Sequence, residues 1–269
     1  MDTADNLTQG GLNMSVLKYK DPQTGQWKAA ASVKLVEKVG KNEVYPFADV
    51  PDYVKEEAET VAKAVRGVQT GKTLTFAAMA DTHIGMALTS GNAVKTRESA
   101  EMAGQGLAYL RNILPVHAAF VLGDLTWSDG AYAVQQVKDD WNGTVKRLSV
   151  GFGGLPSAWT AGNHEINYGQ GRERSMTEDE IYGYIGKESS GLTRDSAYPQ
   201  KCYGYMDFPI QKIRVIVLNT ADTLSEYPES DPAIKAKSEW VGAVQLQWLA
   251  DTALDFSDKE KAAEWGIVI

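Results

Sequence analysis

Cysteine is almost absent from this chain of 269 residues. The single one, Cys202, cannot close an intrachain disulfide, and with no CxxC pair or Cys/His cluster it reads as a structural thiol. Histidine is nearly as scarce, with only His83, His117 and His164, so any imidazole chemistry must draw on these three. No apolar run approaches the roughly 18 residues of a membrane span. The N-terminal MDTADNLTQGGLN has neither the basic nor the apolar region of a secretory signal. Excess positive charge is missing too. A formal net charge of −8 argues against an extended nucleic-acid surface, which needs a basic footprint. It leaves room for a small phosphorylated substrate, because bound cations reverse the local charge. What remains is an ordinary globular composition, 43% hydrophobic and 23% charged, long enough to bury a substantial core.

Taken in order, residues 1–13 read as a disordered leader. The run VLKYK–DPQTG–QWKAA from Val16 to Ala30 has Pro and Gly at turn positions between two strand-like segments and predicts a hairpin. A further strand-like run spans Ser32 to Val39. Asp52 to Thr70 predicts an amphipathic helix with Val54, Ala58, Val61, Val65 and Val68 on its apolar face, stopped by Gly71. The following GVQTGKT is close to a phosphate-binding loop. It has three residues between its glycines where the motif needs four, and it follows a helix and precedes a strand, so an ATP site is rejected.

From Thr73 the pattern alternates. Strands are expected at Thr73–Ala80, His117–Leu122 and Ser157–Ala161, and helices at Lys95–Leu114 and Ala131–Lys146. That rhythm predicts an α/β domain with a largely parallel sheet. Tyr168 to Tyr203 is long and polar, with a helical segment at Thr177–Tyr184, and reads as an active-site lid or as surface decoration. Antiparallel strands at Tyr203–Phe208 and Lys212–Leu218, a helix at Val244–Leu254 and a last strand at Trp265–Ile269 complete the chain. The expected organisation is a leader and small β module at 1–48, a linker helix at 49–71 and a main domain at 72–269.

Each of the first three strands of the main domain ends in a polar cluster: Asp81-Thr82-His83, Gly123-Asp124-Leu125, and Gly162-Asn163-His164-Glu165. Ligand sites of open α/β sheets lie outside the carboxyl ends of the strands, so the three clusters should meet along one sheet edge. This set of DxH, GD and GNHE motifs resembles the calcineurin-like metallophosphoesterase family, over roughly Thr73 to Ile269. The resemblance implies an αββα sandwich that hydrolyses phosphate mono- or diesters with a metal-activated water. It implies two divalent ions, Mn, Fe or Zn, about 3.5–4 Å apart, which supply a nucleophile and neutralise developing charge. Carried over by motif, Asp81 and His83 would bind the first ion, Asp124 would bridge both and Asn163 would bind the second. His164 would be the general acid or a donor to the phosphoryl oxygen, and Glu165 would orient it.

The family takes about three further ligand histidines from the second half of its fold, and the remaining histidine here cannot serve. His117 lies seven residues before Asp124 on the same strand, roughly 20 Å away at about 3.3 Å per residue. The second metal site is therefore incomplete, and WGIVI is the kind of strand that leads into the next histidine motif of the family. The expectation is an apparently truncated domain with little beyond its first sheet. Its open apolar face would call for further chain, self-association or a covering partner. The N-terminal hairpin is similar to short β-modules of phage tail and baseplate proteins. That similarity supplies the competing expectation, a catalytically degenerate virion structural or binding module. A phosphate-ester substrate, no membrane, and a cytoplasmic or virion-associated location follow from these readings.

Overall fold

The structure is a computed structural model and describes residues 6–9, 12–15, 18–20, 27–29, 50–84, 96–126, 134–166, 178–222 and 241–269. The chain divides into two compact units, Met1–Asp49 and Val50–Ile269. In the first, β1 (Asn6–Gln9) pairs antiparallel with β2 (Leu12–Ser15). Strand β3 (Lys18–Lys20) pairs antiparallel with β4 (Trp27–Ala29), as the Asp-Pro…Gly turn predicts. The β1–β2 pair replaces the expected disordered leader. Its sequence signal is Gly10-Gly11 between two short runs, a two-residue hairpin pattern outweighed by the polar composition of the leader. The strand expected at Ser32–Val39 lies outside the described residues.

The second unit opens with α1 (Asp52–Arg66), shorter by one turn than its apolar pattern. Its buried face overlaps the expected one only in part. Ala58 and Ala62 are buried, while Val61 and Val68 are exposed. Small alanines let α1 lie close against a second helix, α2 (Thr96–Ile113), and Tyr109 of α2 donates to Glu59 at 2.7 Å across that seam. The helix read as a linker is thus part of the second unit.

Strands β5 (Phe76–Met79), β6 (Ala118–Leu122) and β7 (Ser157–Thr160) form a parallel sheet in that order. Helix α2 connects the first two, and α3 (Val134–Phe152) the next two. Alternation sorts the side chains of this sheet onto two faces. Ala119, Val121 and Trp159 meet Leu107, Val137, Trp141 and Leu148 of the two helices. Ala118, Phe120 and Ala158 point the other way, onto a second sheet.

That second sheet corrects the expectation of a chain with little beyond its first sheet. After α4 (Glu178–Tyr184), strands β8 (Gly204–Phe208) and β9 (Ile213–Val217) pair antiparallel, and β10 (Gly266–Val268) adds to β9 in parallel. Met206, Phe208, Val215 and Val217 of this sheet cover the inner face of β6 and β7. Its outer face carries Tyr203 and Ile216 against Trp248 of α5 (Ala243–Trp248), which continues into a π-helical turn at Leu249–Ala253. The layers run helix, sheet, sheet, helix. The unit is an α/β fold with one parallel and one mixed sheet.

Within the segment expected to be a lid or decoration, the described part is structural. Ile181 and Ile185 enter the core, Ser190 pairs with Ser157 beside β7, and Thr193 pairs with Tyr205 of β8. Residues 190–193 therefore stitch the two sheets together along one edge. The opposite edge is open: a groove of about 440 Å³ between β5 and β10 is lined by Phe76, Ala78, Phe120, Leu122, Val268 and Ile269. Among the described residues no helix is long and apolar enough to cross a membrane.

Candidate functional site

Parallel pairing of β5 with β6 carries the first two polar clusters to one end of the sheet and continues past the strands themselves. The amides of Asp81, His83 and Ile84 donate to the carbonyls of Gly123, Asp124 and Leu125 at 3.1, 3.1 and 2.7 Å. The backbone there is unusual. Asp81, His83 and Asp124 all have positive φ, at 57°, 44° and 51°. Such a conformation costs a residue with a Cβ about 1–2 kcal/mol. It persists only where the surroundings over-determine it, and three cases on neighbouring polar residues mark a constrained site.

The third cluster, on the turn after β7, closes against the second. An ideal Cβ on Gly123 would lie 2.5 Å from the Gly162 nitrogen, and one on Gly162 would lie 2.5 Å from the Asp124 nitrogen. Only glycine at both positions allows this approach. The His164 amide then donates to Asp124 Oδ1 at 2.9 Å.

These turns bring three side chains to one point. His83, Asp124 and His164 each present a donor atom, all within 4.8 Å of one another, and all three are half-buried. The His83 and His164 rings lie 4.7 Å apart, tilted by 53°. His83 Nε2 is 3.8 Å from Asp124 Oδ2 and 3.8 Å from Asp81 Oδ1. Donor atoms that share a tetrahedral ion at about 2.0–2.2 Å stand roughly 3.4 Å from each other, so the three side chains, somewhat more widely spaced here, could hold a metal ion after a small inward shift. Two imidazoles with a carboxylate suit Zn, Mn or Fe.

Of the residues singled out from sequence, His83, Asp124 and His164 converge. Asp81 flanks His83 from the solvent side, its side chain 71% exposed. Asn163 is half-buried in the turn that carries His164. His117 stands apart, its Nδ1 accepting the Thr75 amide at 3.1 Å and its Nε2 lying 3.3 Å from Gln211 Nε2. Cys202 is buried and in no disulfide.

Glu165 behaves differently from its expected role. Instead of orienting the His164 ring, its fully buried carboxylate binds the backbone of both turns. Oε2 accepts the amides of Asp124 at 2.7 Å and Gly162 at 2.8 Å, and Oε1 accepts the Thr126 amide at 2.8 Å and the Thr126 hydroxyl at 3.1 Å. Burial pushes its carboxyl up and the Asp124 charge adds to this, against the downward pull of the amides; the net direction is upward. Thr126, fully buried, is a site residue that motif reading missed, as is Thr82, whose hydroxyl donates to the Leu125 carbonyl at 2.9 Å. The only sequence hint of the first is a hydroxyl two residues after Asp124, beyond an apolar strand end.

No family model, no curated protein and no solved structure matches this chain. The geometry of the three converging strand ends therefore carries the functional reading by itself.

Proposed function

We propose that this chain is a divalent-metal-dependent phosphoesterase of the calcineurin-like kind, acting on phosphate mono- or diesters. The observation that carries the reading is the convergence of His83, Asp124 and His164 at the carboxyl ends of three parallel strands. The helix–sheet–sheet–helix layering of the second unit supports it.

In this reading His83, Asp124 and His164 hold one ion, and Asp81 approaches it from solvent. When bound, the ion polarises a phosphoryl oxygen and lowers the pKa of water at the site. The chain's own groups do the rest. Asp124 uses Oδ1 to accept the His164 amide, which leaves Oδ2 turned towards His83. His164 is assigned as a donor to the ion in preference to a general acid, because a ring nitrogen falls within the same 4.8 Å set as the other two. A second ion, which the family resemblance would place on Asp124 and Asn163, has only those two donors among the described residues. We accordingly propose a single tightly held ion.

Calorimetric titration with Mn²⁺ and Zn²⁺, combined with hydrolysis of p-nitrophenyl phosphate and its bis ester, tests the proposal. A single site, metal-dependent turnover and at least a tenfold loss of affinity in Asp124→Asn are expected. In His164→Ala, metal binding should fall together with turnover. Affinity unchanged in Asp124→Asn would sink the metal site. Metal binding without turnover on any ester would leave the fold as a binding module.

A further inference from the structure

The two turns that carry Asp124 and His164 come from different strands, and no covalent constraint fixes one against the other. Beyond the β6–β7 ladder, two side chains join them: Asp124, whose Oδ1 accepts the His164 amide, and Glu165. Glu165 sits with no solvent exposure between the turns and takes four donated hydrogens: two from amides on opposite turns through Oε2, two from Thr126 through Oε1. Charge-assisted hydrogen bonds of this length are among the stronger polar contacts in proteins. None of the four reaches a side chain of the His83–Asp124–His164 set, so these hydrogen bonds act on that set through the backbone.

We propose that Glu165 is the positioning residue of the site: its carboxylate latches the Gly123–Thr126 turn to the Gly162–Glu165 turn and so sets the distance between Asp124 and His164. The claim rests on the metal reading above but concerns this chain's own groups. The consequences are geometric. The latch holds Asp124 at positive φ and in register with Gly162, whose closeness places the His164 amide on Asp124 Oδ1. That contact directs the other carboxylate oxygen towards His83. Remove one acceptor and the spacing of the two donor-bearing turns rests on the β6–β7 ladder and the His164–Asp124 contact alone, although every candidate ligand is still present.

Glu165→Gln keeps the side chain's size and replaces one acceptor oxygen with an NH₂ that faces backbone N–H groups. We would measure Mn²⁺ affinity calorimetrically, and amide hydrogen exchange in the metal-free protein, for the full chain and this variant. Gly104→Ala, in α2 where it crosses α3 and outside both turns, serves as a destabilised control. The expected result is a 10–100-fold weaker Mn²⁺ dissociation constant in Glu165→Gln, the range typical of supporting groups around ligands. The control should stay within about twofold of the parent. Exchange should accelerate at Asp124, Thr126 and Gly162 while the amides of β6 keep their protection. Mn²⁺ affinity in Glu165→Gln within twofold of the parent would overturn the proposal, as would equal weakening in the control. If the parent binds neither Mn²⁺ nor Zn²⁺, the metal reading fails and exchange alone decides the latch: selective acceleration at the three amides supports it, and unchanged protection refutes it.

Discussion

Gly104 and Gly143 offer a test in which one substitution takes opposite signs in the same helix pair. Gly104 is buried in α2 where it crosses α3. An ideal Cβ there would lie 2.7 Å from the Arg147 carbonyl oxygen and 3.3 Å from the Leu148 Cα. Ordinary contact begins at 3.4 Å, so the crossing is short by about 0.7 Å, and both obstacles are backbone. The helices must part, which loosens Leu107 and Leu148 against Trp159 and Val121 in the core. Overpacking of this kind costs about 1–3 kcal/mol. The better helix propensity of alanine returns up to about 1 kcal/mol, so Gly104→Ala should destabilise by about 1–2 kcal/mol. Gly143 is exposed in the middle of α3, and a Cβ added there would meet nothing within 4 Å, so Gly143→Ala should stabilise by about 0.5–1 kcal/mol. For a unit of this size each kcal/mol moves the melting temperature by roughly 2–4 °C. Scanning calorimetry should place the two variants on opposite sides of the parent. Shifts of the same sign would refute the close helix crossing.

Gly162→Ala should cost about 1–3 kcal/mol in urea unfolding and abolish Mn²⁺ binding, because its Cβ would meet the Asp124 nitrogen at 2.5 Å; retained binding would contradict the close approach of the two turns. Arg214 is buried, sandwiched between the Tyr205 and Phe256 rings at 3.8 and 4.4 Å, with Nε and Nη2 on Asp207 at 2.7 and 2.9 Å. Arg214→Met should cost about 1–3 kcal/mol, because the Ala253 and Asp255 carbonyls lose their donor while Asp207 keeps Lys259 at 3.0 Å, and a loss below about 0.5 kcal/mol would show the guanidinium to be dispensable. Burial pushes Asp207 up, but hydrogen bonds and charge from Arg214 and Lys259 outweigh it and hold its pKa below the ordinary 3.8. Stability from this group is therefore full above pH 3.8 and lost as pH falls through the depressed value. Urea midpoints measured from pH 5 to pH 2 should fall less steeply in Asp207→Asn than in the parent; identical slopes would deny the shift.

Strand and helix positions in the second unit were legible because their periodicities are strong. The pairing of β8 with β9 and the strands ending at Met79, Leu122 and Thr160 appear within a few residues of the expected places. The convergence of three polar clusters was legible for a topological reason: parallel strands joined by helices present their carboxyl ends together. Less visible were features that depend on who packs against whom. The apolar stripe of α1 placed Ala58 correctly but also pointed to Val61 and Val68, which are exposed, and passed over the buried Ala62, where closeness to α2 matters more than hydrophobicity. The second sheet was underestimated because WGIVI suggested the opening of something new. In the fold, Gly266–Val268 adds in parallel to a sheet already begun by β8 and β9. Glu165 was assigned to its sequence neighbour, His164. Its partners lie mostly on the Gly123–Thr126 turn, about 40 residues away, where no spacing rule reaches.

The relation between strain and hydrogen bonding explains why the site takes the form it does. Left-handed backbone at Asp81, His83 and Asp124 runs against local preference, and left to itself each residue would relax. Two sets of contacts prevent this. Amides of the first cluster are committed to carbonyls of the second, so Asp81 and His83 cannot rotate without breaking a ladder that continues β5 and β6. Asp124 is held from the other side, where its own amide is given to Glu165. The donor atoms are thus organised by groups of the chain itself. Loss of Glu165 or crowding at Gly162 should therefore damage the site as severely as loss of a ligand, although neither side chain lies among the three donors.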